Sequence, residues 1–333
     1  MSADAPGMLL QQALQFPGAH SALAPAGPQA ERVHALWQFM WIVSAGVWVI
    51  VVLAALYAAY HRRRLAVEVP RESAPPDGLG MRNAVVGATA LTIVILFVFL
   101  VLDFRTGQAY TTPPKGALAV KVTGHQWWWE VEYPSDRPNQ TFTTANEIHV
   151  PVGRPVVLEL HSADVIHSFW PPSLVGKRDL IPGYTSTLWF RADTAGVYRG
   201  QCAEFCGHQH AKMALSIVAE PPQKFSAWMT QQRDTAHTPT DSLPRRGQEV
   251  FLSSSCVMCH SIQGTPAGSR IGPDLTHLAS RLTIAAGTLP NNRGNLAGWI
   301  VDPQSIKPGT QMPSNQLSPA DLQALLAYLG TLQ

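Results

Sequence analysis

Two long apolar stretches dominate the N-terminal third of the chain, and short alternating runs dominate its middle third. Val33–Tyr60 and Asn83–Leu102 carry no charged side chain. Each reaches the ~20 residues that an α-helix needs to cross a hydrocarbon core of ~30 Å. They are expected as a pair of transmembrane helices. From about Ala117 to Glu220 the pattern changes to β-like segments: ALAVKVTG, PVVLELHS, TSTLWFRA, GVYRGQ and ALSIVAE, parted by Pro and Gly breaks. Several short strands with turn signals between them predict a β-sandwich or barrel. A polar, proline-containing segment then reads as a linker. Beyond it the pattern is helical, and it closes on SPADLQALLAYLGTLQ, with Ser318 as N-cap and Pro319 at the first helical position. The expected division is a tail over 1–32, a helix hairpin over 33–103, a β domain over 104–230, a linker over 231–242 and a helical domain over 243–333.

Charge sets the orientation and narrows the partners. Between the apolar stretches lie Arg62, Arg63, Arg64, Arg71 and Arg82, against Glu68, Glu72 and Asp77. Arginines flanking short loops stay on the cytoplasmic side, so the tail and everything after Asp103 are expected outside. The first 32 residues lack a basic n-region, so no signal peptide is recognised there, although the first helix can itself serve as the signal. The formal net charge of the 333 residues is only +2, and no basic face for nucleic acid is indicated. The β domain (104–225) holds eleven Lys and Arg against ten Asp and Glu, and the last domain six against four. Neither has the excess that steers a charged partner. The linker is therefore expected to keep the last domain at roughly millimolar effective concentration, with weak docking.

All four cysteines lie in two clusters, CAEFCGHQHAKM (202–213) and CVMCH (256–260), so metal or cofactor chemistry is indicated rather than a disulfide framework. In the first, Cys202 and Cys206 are followed by His210 and Met213. Thiolate, imidazole and thioether together favour copper over zinc or iron–sulfur. Two thiolates and a thioether fit a binuclear centre with both sulfurs bridging. A second imidazole is needed from elsewhere. His167 in SADVIHSFWPPSL is the best candidate, with His161, His149 and His125 as rivals, and His208 competes with His210.

Three segments, GHQWWWEVEY (124–133), DVIHSFWPPSLVGKRDLIPG (164–183) and GQCAEFCGHQHAKM (200–213), resemble the signature segments of cytochrome c oxidase subunit II, as does the helix hairpin before them. The resemblance implies a cupredoxin-like β-sandwich holding a dinuclear copper centre. His167 and His210 would bind one copper each, Cys202 and Cys206 would bridge both, Met213 would be a weak axial ligand, and Glu204 would ligate through its carbonyl. The Glu204 carboxylate would face a magnesium site shared with the catalytic subunit. Trp127 would be the electron-transfer residue, while Trp128 and Trp129 fit a core stripe or interface belt better. An acid that members of this family often carry near the start of the second helix has no counterpart in Asn83–Leu102.

The second cluster is a C-x-x-C-H motif, which attaches haem c through Cys256 and Cys259 and ligates its iron through His260. A thioredoxin-like pair would need a βαβ setting. Met312 in KPGTQMPS is the only methionine after the motif and is the expected sixth ligand, with His277 as the alternative. A Met/His pair raises the potential. IGPDL (271–275) resembles the loop beside the proximal histidine of class I cytochromes c, so residues 243–333 resemble a complete, all-α cytochrome c domain. Such a fusion resembles the caa3-type oxidases. The expectation is an electron-input subunit of a bacterial inner-membrane cytochrome c oxidase. It would take electrons from a c-type donor and pass them to an oxygen-reducing, proton-pumping subunit I, with membrane lipid around the hairpin and no nucleic acid. The alternative is the electron-input subunit of a copper-containing nitric oxide reductase. A membrane-anchored copper chaperone or a plain electron shuttle is the other class.

Overall fold

The computed structural model describes residues 21–65, 78–108 and 112–333, the side chains of 62–65 excepted. Glu68, Arg71, Glu72 and Asp77 of the interhelical loop, and residues 1–20 of the tail, lie outside the described residues. The chain divides into a helical unit, Glu31–Thr112, and a second unit made of the rest.

The helical unit consists of α1 (Pro28–Leu65, whose first residues belong to the other unit) and α2 (Leu79–Gln108). Both are long and apolar enough to span a membrane. Their leucines, valines, isoleucines and aromatics are almost all exposed, which in water would be an untenable surface but in lipid needs no further cover. Phe39 and Phe99 meet edge to face at 5.4 Å between ring centroids.

The second unit begins with residues 21–30, which are more than a tail. The amides of Ala26 and Ala30 donate to the carbonyls of Ser173 (2.7 Å) and Leu174 (3.3 Å), and Asp193 N–H returns a bond to Ala26 (2.9 Å). Gly27 passes so close that a Cβ there would sit 2.2 Å from the Arg191 carbonyl oxygen.

Ten strands then build a sandwich: β1 (Leu118–His125), β2 (Trp128–Tyr133), β3 (Phe142–Ala145), β4 (Glu147–Pro151), β5 (Val156–Ser162), β6 (His167–Trp170), β7 (Arg178–Leu180), β8 (Ser186–Phe190), β9 (Gly196–Cys202) and β10 (Ala214–Glu220). One sheet has the order β3-β2-β1-β5-β8, the other β4-β10-β9-β6-β7. Each is mixed, since β1–β5 and β4–β10 run parallel. Alternation places Val120, Val122, Val131, Leu158 and Leu160 of the first sheet against Ile148, Phe169, Leu215 and Ile217 of the second, all buried. The five β-like runs of the sequence are all strands. The short β2, β3, β4, β6 and β7 were not recognised there.

A helix α3 (Pro222–Gln231) closes the sandwich, and Trp228 packs on Phe142 and Tyr133. The C-terminal domain contains α4 (Ser242–Ser253), α5 (Arg293–Val301), the single turn α6 (Pro303–Ile306) and α7 (Pro319–Leu329), with a two-residue hairpin of β11 (Thr283–Ile284) and β12 (Leu289–Pro290). Ser318 caps α7 by accepting from Asp321 N–H (3.1 Å). Helices α4 and α7 cross where Gly247 has no side chain: a Cβ would fall 2.0 Å from the Ala324 carbonyl oxygen. Phe251, Leu325, Leu326, Tyr328 and Leu329 fill the core beneath that crossing.

The segment between α3 and α4 is not a free tether. Ala236 N–H donates to Gln263 (2.9 Å), and the Asp234 carbonyl faces the His277 ring (3.2 Å). The two domains are docked through buried groups. Leu282 and Thr283 N–H donate to the Glu147 carboxylate (2.6 and 3.2 Å), Ala214 N–H to Ala286 (3.0 Å), and the Gln209 amide to Pro308 (2.5 Å). The expectation of weak docking is therefore corrected. Backbone and buried side chains make this contact, and neither registers in a net-charge count.

Candidate metal centre and haem cavity

Strand β9 ends at Cys202 and β10 starts just after Met213, and the loop between them carries Cys206 and His210. Strand β6 opposite opens with His167. Sheet pairing thus folds five residues spread over 47 positions into one cluster. Cys202 Sγ lies 3.8 Å from Cys206 Sγ, 3.9 Å from His167 Nδ1 and 3.2 Å from the Glu204 carbonyl oxygen. Cys206 Sγ lies 3.6 Å from His210 Nδ1 and 3.8 Å from Met213 Sδ. Cys202, Cys206, His167 and Met213 are buried, and His210 is partly so. Each sulfur therefore has its own imidazole, with the carbonyl of Glu204 beside Cys202 and the Met213 thioether beside Cys206.

The set fits a metal pair. A metal–thiolate bond of about 2.3 Å bridges two sulfurs only if they are closer than about 4.6 Å, and 3.8 Å leaves room on either side of the S–S line. The Cys202 thiol is pushed down to about 3, first by the hydrogen bond from Cys206 and then by His167 and backbone donors, while burial opposes the shift. Cys206 is pushed up by the same shared bond and by burial. Burial pulls His167 down, but the Asp164 carboxylate and the Cys202 sulfur outweigh it and leave its pKa raised. His167 Nε2–H donates to Asp164 Oδ1 at 2.8 Å, which fixes the tautomer and turns the Nδ1 lone pair toward the sulfur.

The four rival histidines are elsewhere. His149 lies between Glu220 (3.1 Å) and Glu147 (3.7 Å) and stacks on Trp228. His161 pairs with Glu159, His125 stacks on Trp128, and His208 is exposed.

A second site is a cavity of about 390 Å³. Cys256, Cys259, His260 and Met312 all line it, together with Leu296, Trp299 and Leu325. A short 3₁₀ segment, Ser255–Met258, carries Cys256, and just beyond it His260 N–H donates to the Cys256 carbonyl at 3.0 Å. His260 Nδ1–H donates to the Pro273 carbonyl at 2.7 Å, leaving Nε2 for a ligand. Gly272 keeps that ring in place, since a Cβ there would be 2.8 Å from His260 Cε1. A thiol pair, a free imidazole nitrogen and a thioether around one apolar cavity fit a covalently attached haem. His277 is not on its wall: it is buried with its ring nitrogens facing the carbonyls of Gln333 (2.7 Å) and Asp234 (3.2 Å).

Two family models match in tandem. That of the cytochrome c oxidase subunit II periplasmic domain covers residues 118–220, and that of cytochrome c covers 244–333. Cytochrome c oxidase subunit 2 of Alkalihalophilus pseudofirmus is 38% identical over 329 residues, 94% of this chain and 91% of that protein. The chain belongs to the cytochrome c oxidase subunit II family. Cytochrome c oxidase subunit 2 of Bacillus subtilis is 29% identical over 333 residues, 94% of this chain and 92% of its own. The crystallised periplasmic domain of subunit II of the Bradyrhizobium japonicum cytochrome oxidase is 34% identical, covering 37% of this chain and 97% of that one with a TM-score of 0.35.

As a subunit II with a fused cytochrome c domain, the protein is a component of a haem–copper oxidase, and copper and haem c follow from its two families. The architecture fits the caa3 type. Magnesium finds no support: the Glu204 side chain is half exposed and its carboxylate lies 3.9 Å from Lys177 Nζ. Trp127 lines the cavity of this subunit II and is buried, and its indole N–H donates to the Cys206 carbonyl at 2.8 Å. Trp129 is a core residue and Trp128 a cavity wall. Sequence reasoning passed over Asp164, Lys307 and Glu147. Only Asp164 had a local signal, an acid three residues before the chosen histidine.

Proposed function

We propose that this subunit II is the electron-input arm of a caa3-type cytochrome c oxidase, with the cytochrome domain feeding the copper centre. The carrying observation is the position of Trp127, which is at once a wall of the haem cavity and a hydrogen-bond donor to the carbonyl of Cys206. When bound, a haem c and a dinuclear copper pair would supply two one-electron stores.

The chain's own residues do the rest. Cys256 and Cys259 would anchor the haem, and His260 and Met312 would offer its iron an imidazole and a thioether. Cys202 and Cys206 would supply thiolates to the copper pair, His167 and His210 an imidazole each, Met213 a weak thioether and Glu204 its carbonyl. Asp164 holds His167, and a rigid sandwich rim keeps ligand positions the same in both oxidation states. Burial excludes water from both sulfurs. Arg62–Arg64 would lie on the cytoplasmic side of a bacterial inner membrane, with lipid around α1 and α2 and both metal domains in the periplasm. Subunit I would take the electrons, reduce oxygen and pump protons, and a c-type donor would supply the cytochrome. The nitric oxide reductase alternative has no support from the relatives.

Metal analysis with paramagnetic resonance on the purified full-length protein tests this. Two coppers sharing one delocalised spin are expected, and one copper, or zinc, would overturn the reading. Cys206→Ser should abolish that signal while the haem spectrum stays intact.

A further inference from the structure

The segment that precedes Met312 is fastened to the copper domain at three successive residues. The Lys212 ammonium donates to the Ile306 carbonyl, the Lys307 ammonium donates to the Trp127 carbonyl (2.7 Å), and the Gln209 amide donates to the Pro308 carbonyl (2.5 Å). Gln209 and Lys212 belong to the loop that carries His210 and leads into Met213. On the far side, the Gln304 amide donates to the carbonyls of Thr310 and Met312 (2.8 and 2.9 Å). The loop bearing the haem's thioether and the loop bearing copper ligands are thus held against one another. Trp127 lies between them.

Lys307 differs from the other two fasteners. It is 2% exposed, lines the haem cavity, and makes its second bond to the Ala285 carbonyl (3.2 Å). No carboxylate pairs with it among the described residues. Burial pushes its amine down to about 7. A methionine of similar length would fill this slot without that penalty. What a methionine cannot do is hold the Trp127 carbonyl while the Trp127 indole bonds to Cys206. With its main chain pinned from the cytochrome side and its ring pinned to the copper loop, the indole has one position.

We propose that Lys307 is a positioning residue for haem-to-copper electron transfer, acting through the main chain of Trp127. The inference rests on the electron-input reading above. In the step concerned one electron leaves the reduced haem iron and enters the oxidised copper pair; no bond is made or broken and no proton moves. Among the described residues Lys307 makes no hydrogen bond to a proposed ligand of either cofactor, and it acts by fixing what lies between them.

The test is Lys307→Met in the full-length, metal-loaded protein, with two readouts. Rapid-mixing kinetics should show haem reduction by the donor at the normal rate and copper reduction at least tenfold slower. Hydrogen–deuterium exchange should show the Leu282 and Ala214 amides, which bond across the interface elsewhere, still protected. An unchanged copper phase overturns the proposal. So does a slowed phase with lost protection, because Lys307 would then only hold the domains together. If Lys307→Met does not load haem and copper, Lys307→Gln, which keeps an N–H donor, is judged by whether it retains the fast phase that Lys307→Ala loses; equal rates overturn the proposal. A wild-type protein without a dinuclear copper signal would instead defeat the electron-input reading itself, so the two failures are distinct.

Discussion

Replacing Gly124 by alanine should loosen the copper centre without replacing any ligand. Gly124 lies in β1, paired with Trp129 on one side and Ser162 on the other, so its backbone cannot yield. An added Cβ would sit 2.8 Å from His167 Cδ2 and 3.0 Å from Cγ. Carbon atoms are comfortable at about 3.5–4.0 Å, so the ring must retreat by roughly 0.7 Å or more. It has no free direction: it is fully buried, with Nε2 bonded to Asp164 (2.8 Å) and Nδ1 aimed at Cys202 Sγ (3.9 Å). Overpacking of this kind costs about 1–3 kcal/mol. If most of it falls on the metal-loaded geometry, copper is held about 10- to 100-fold more weakly. That range matches what disturbing a ligand's supporting shell usually costs. Competition with a chelator on the full-length protein measures it, and the haem band serves as internal reference, since Gly124 is not on the cavity wall. Copper retention unchanged to within about threefold, a difference under 1 kcal/mol, would refute the reasoning.

Other perturbations separate the remaining parts. Met312→Ala should leave the haem covalently attached but lower its potential and remove the sulfur-to-iron band, while His277→Ala should change neither; redox titration of both variants decides, and the reverse pattern would reassign the sixth ligand. Gly247→Ala should force α4 and α7 apart at a cost of about 1–3 kcal/mol, lowering the melting point of the cytochrome domain, followed at the haem band, by roughly 4 °C or more; an unchanged midpoint would contradict the close crossing. Lys307 gives a pH signature. Its amine is depressed from 10.5 to about 7 by burial, so between those values the unfolded chain binds more protons and stability rises with pH. The gain is on the order of a few kcal/mol. Thermal melts from pH 7 to 10 should show this rise in the wild type and a flatter profile in Lys307→Met; parallel profiles would deny that the buried amine titrates in this window.

The sulfur clusters were legible because they are local. Cys202, Cys206, His210 and Met213 fall on one loop, and Cys256, Cys259 and His260 on one turn, so residue type and spacing carry the information. His167 was legible only as one of several histidines, and the register of β6 against β9, with Phe169 opposite Cys202, is what brings it to the sulfurs. The WWW run shows the limit from the other side. Three identical residues meet three fates, a cavity wall at Trp127, a stack on His125 at Trp128 and the sandwich core at Trp129, because strand alternation and a turn divide them. Lys307 and Trp127 are 180 positions apart, and nothing in either neighbourhood announces the other. A lysine in a Pro-Gly loop reads as a surface residue. Its burial is a property of the docked pair, as is that of Glu147.

The contact between the two domains bears on how such proteins can be rebuilt. The copper domain contributes the side chains of Glu147, Gln209 and Lys212, and they mostly meet main-chain atoms of the cytochrome: the amides of 282 and 283 and the carbonyls of 306 and 308. Every residue but proline offers the same amide and every residue the same carbonyl. Positions 282, 283, 306 and 308 should therefore accept point substitutions, whereas Arg270, Arg281 and Lys307, whose side chains reach the Thr143 and Thr144 hydroxyls and the Trp127 carbonyl, should not; one inserted residue in 281–287 or in 306–309 would move that loop's groups out of register. Grafting a foreign cytochrome onto this copper domain then becomes a question of matching two backbone contours.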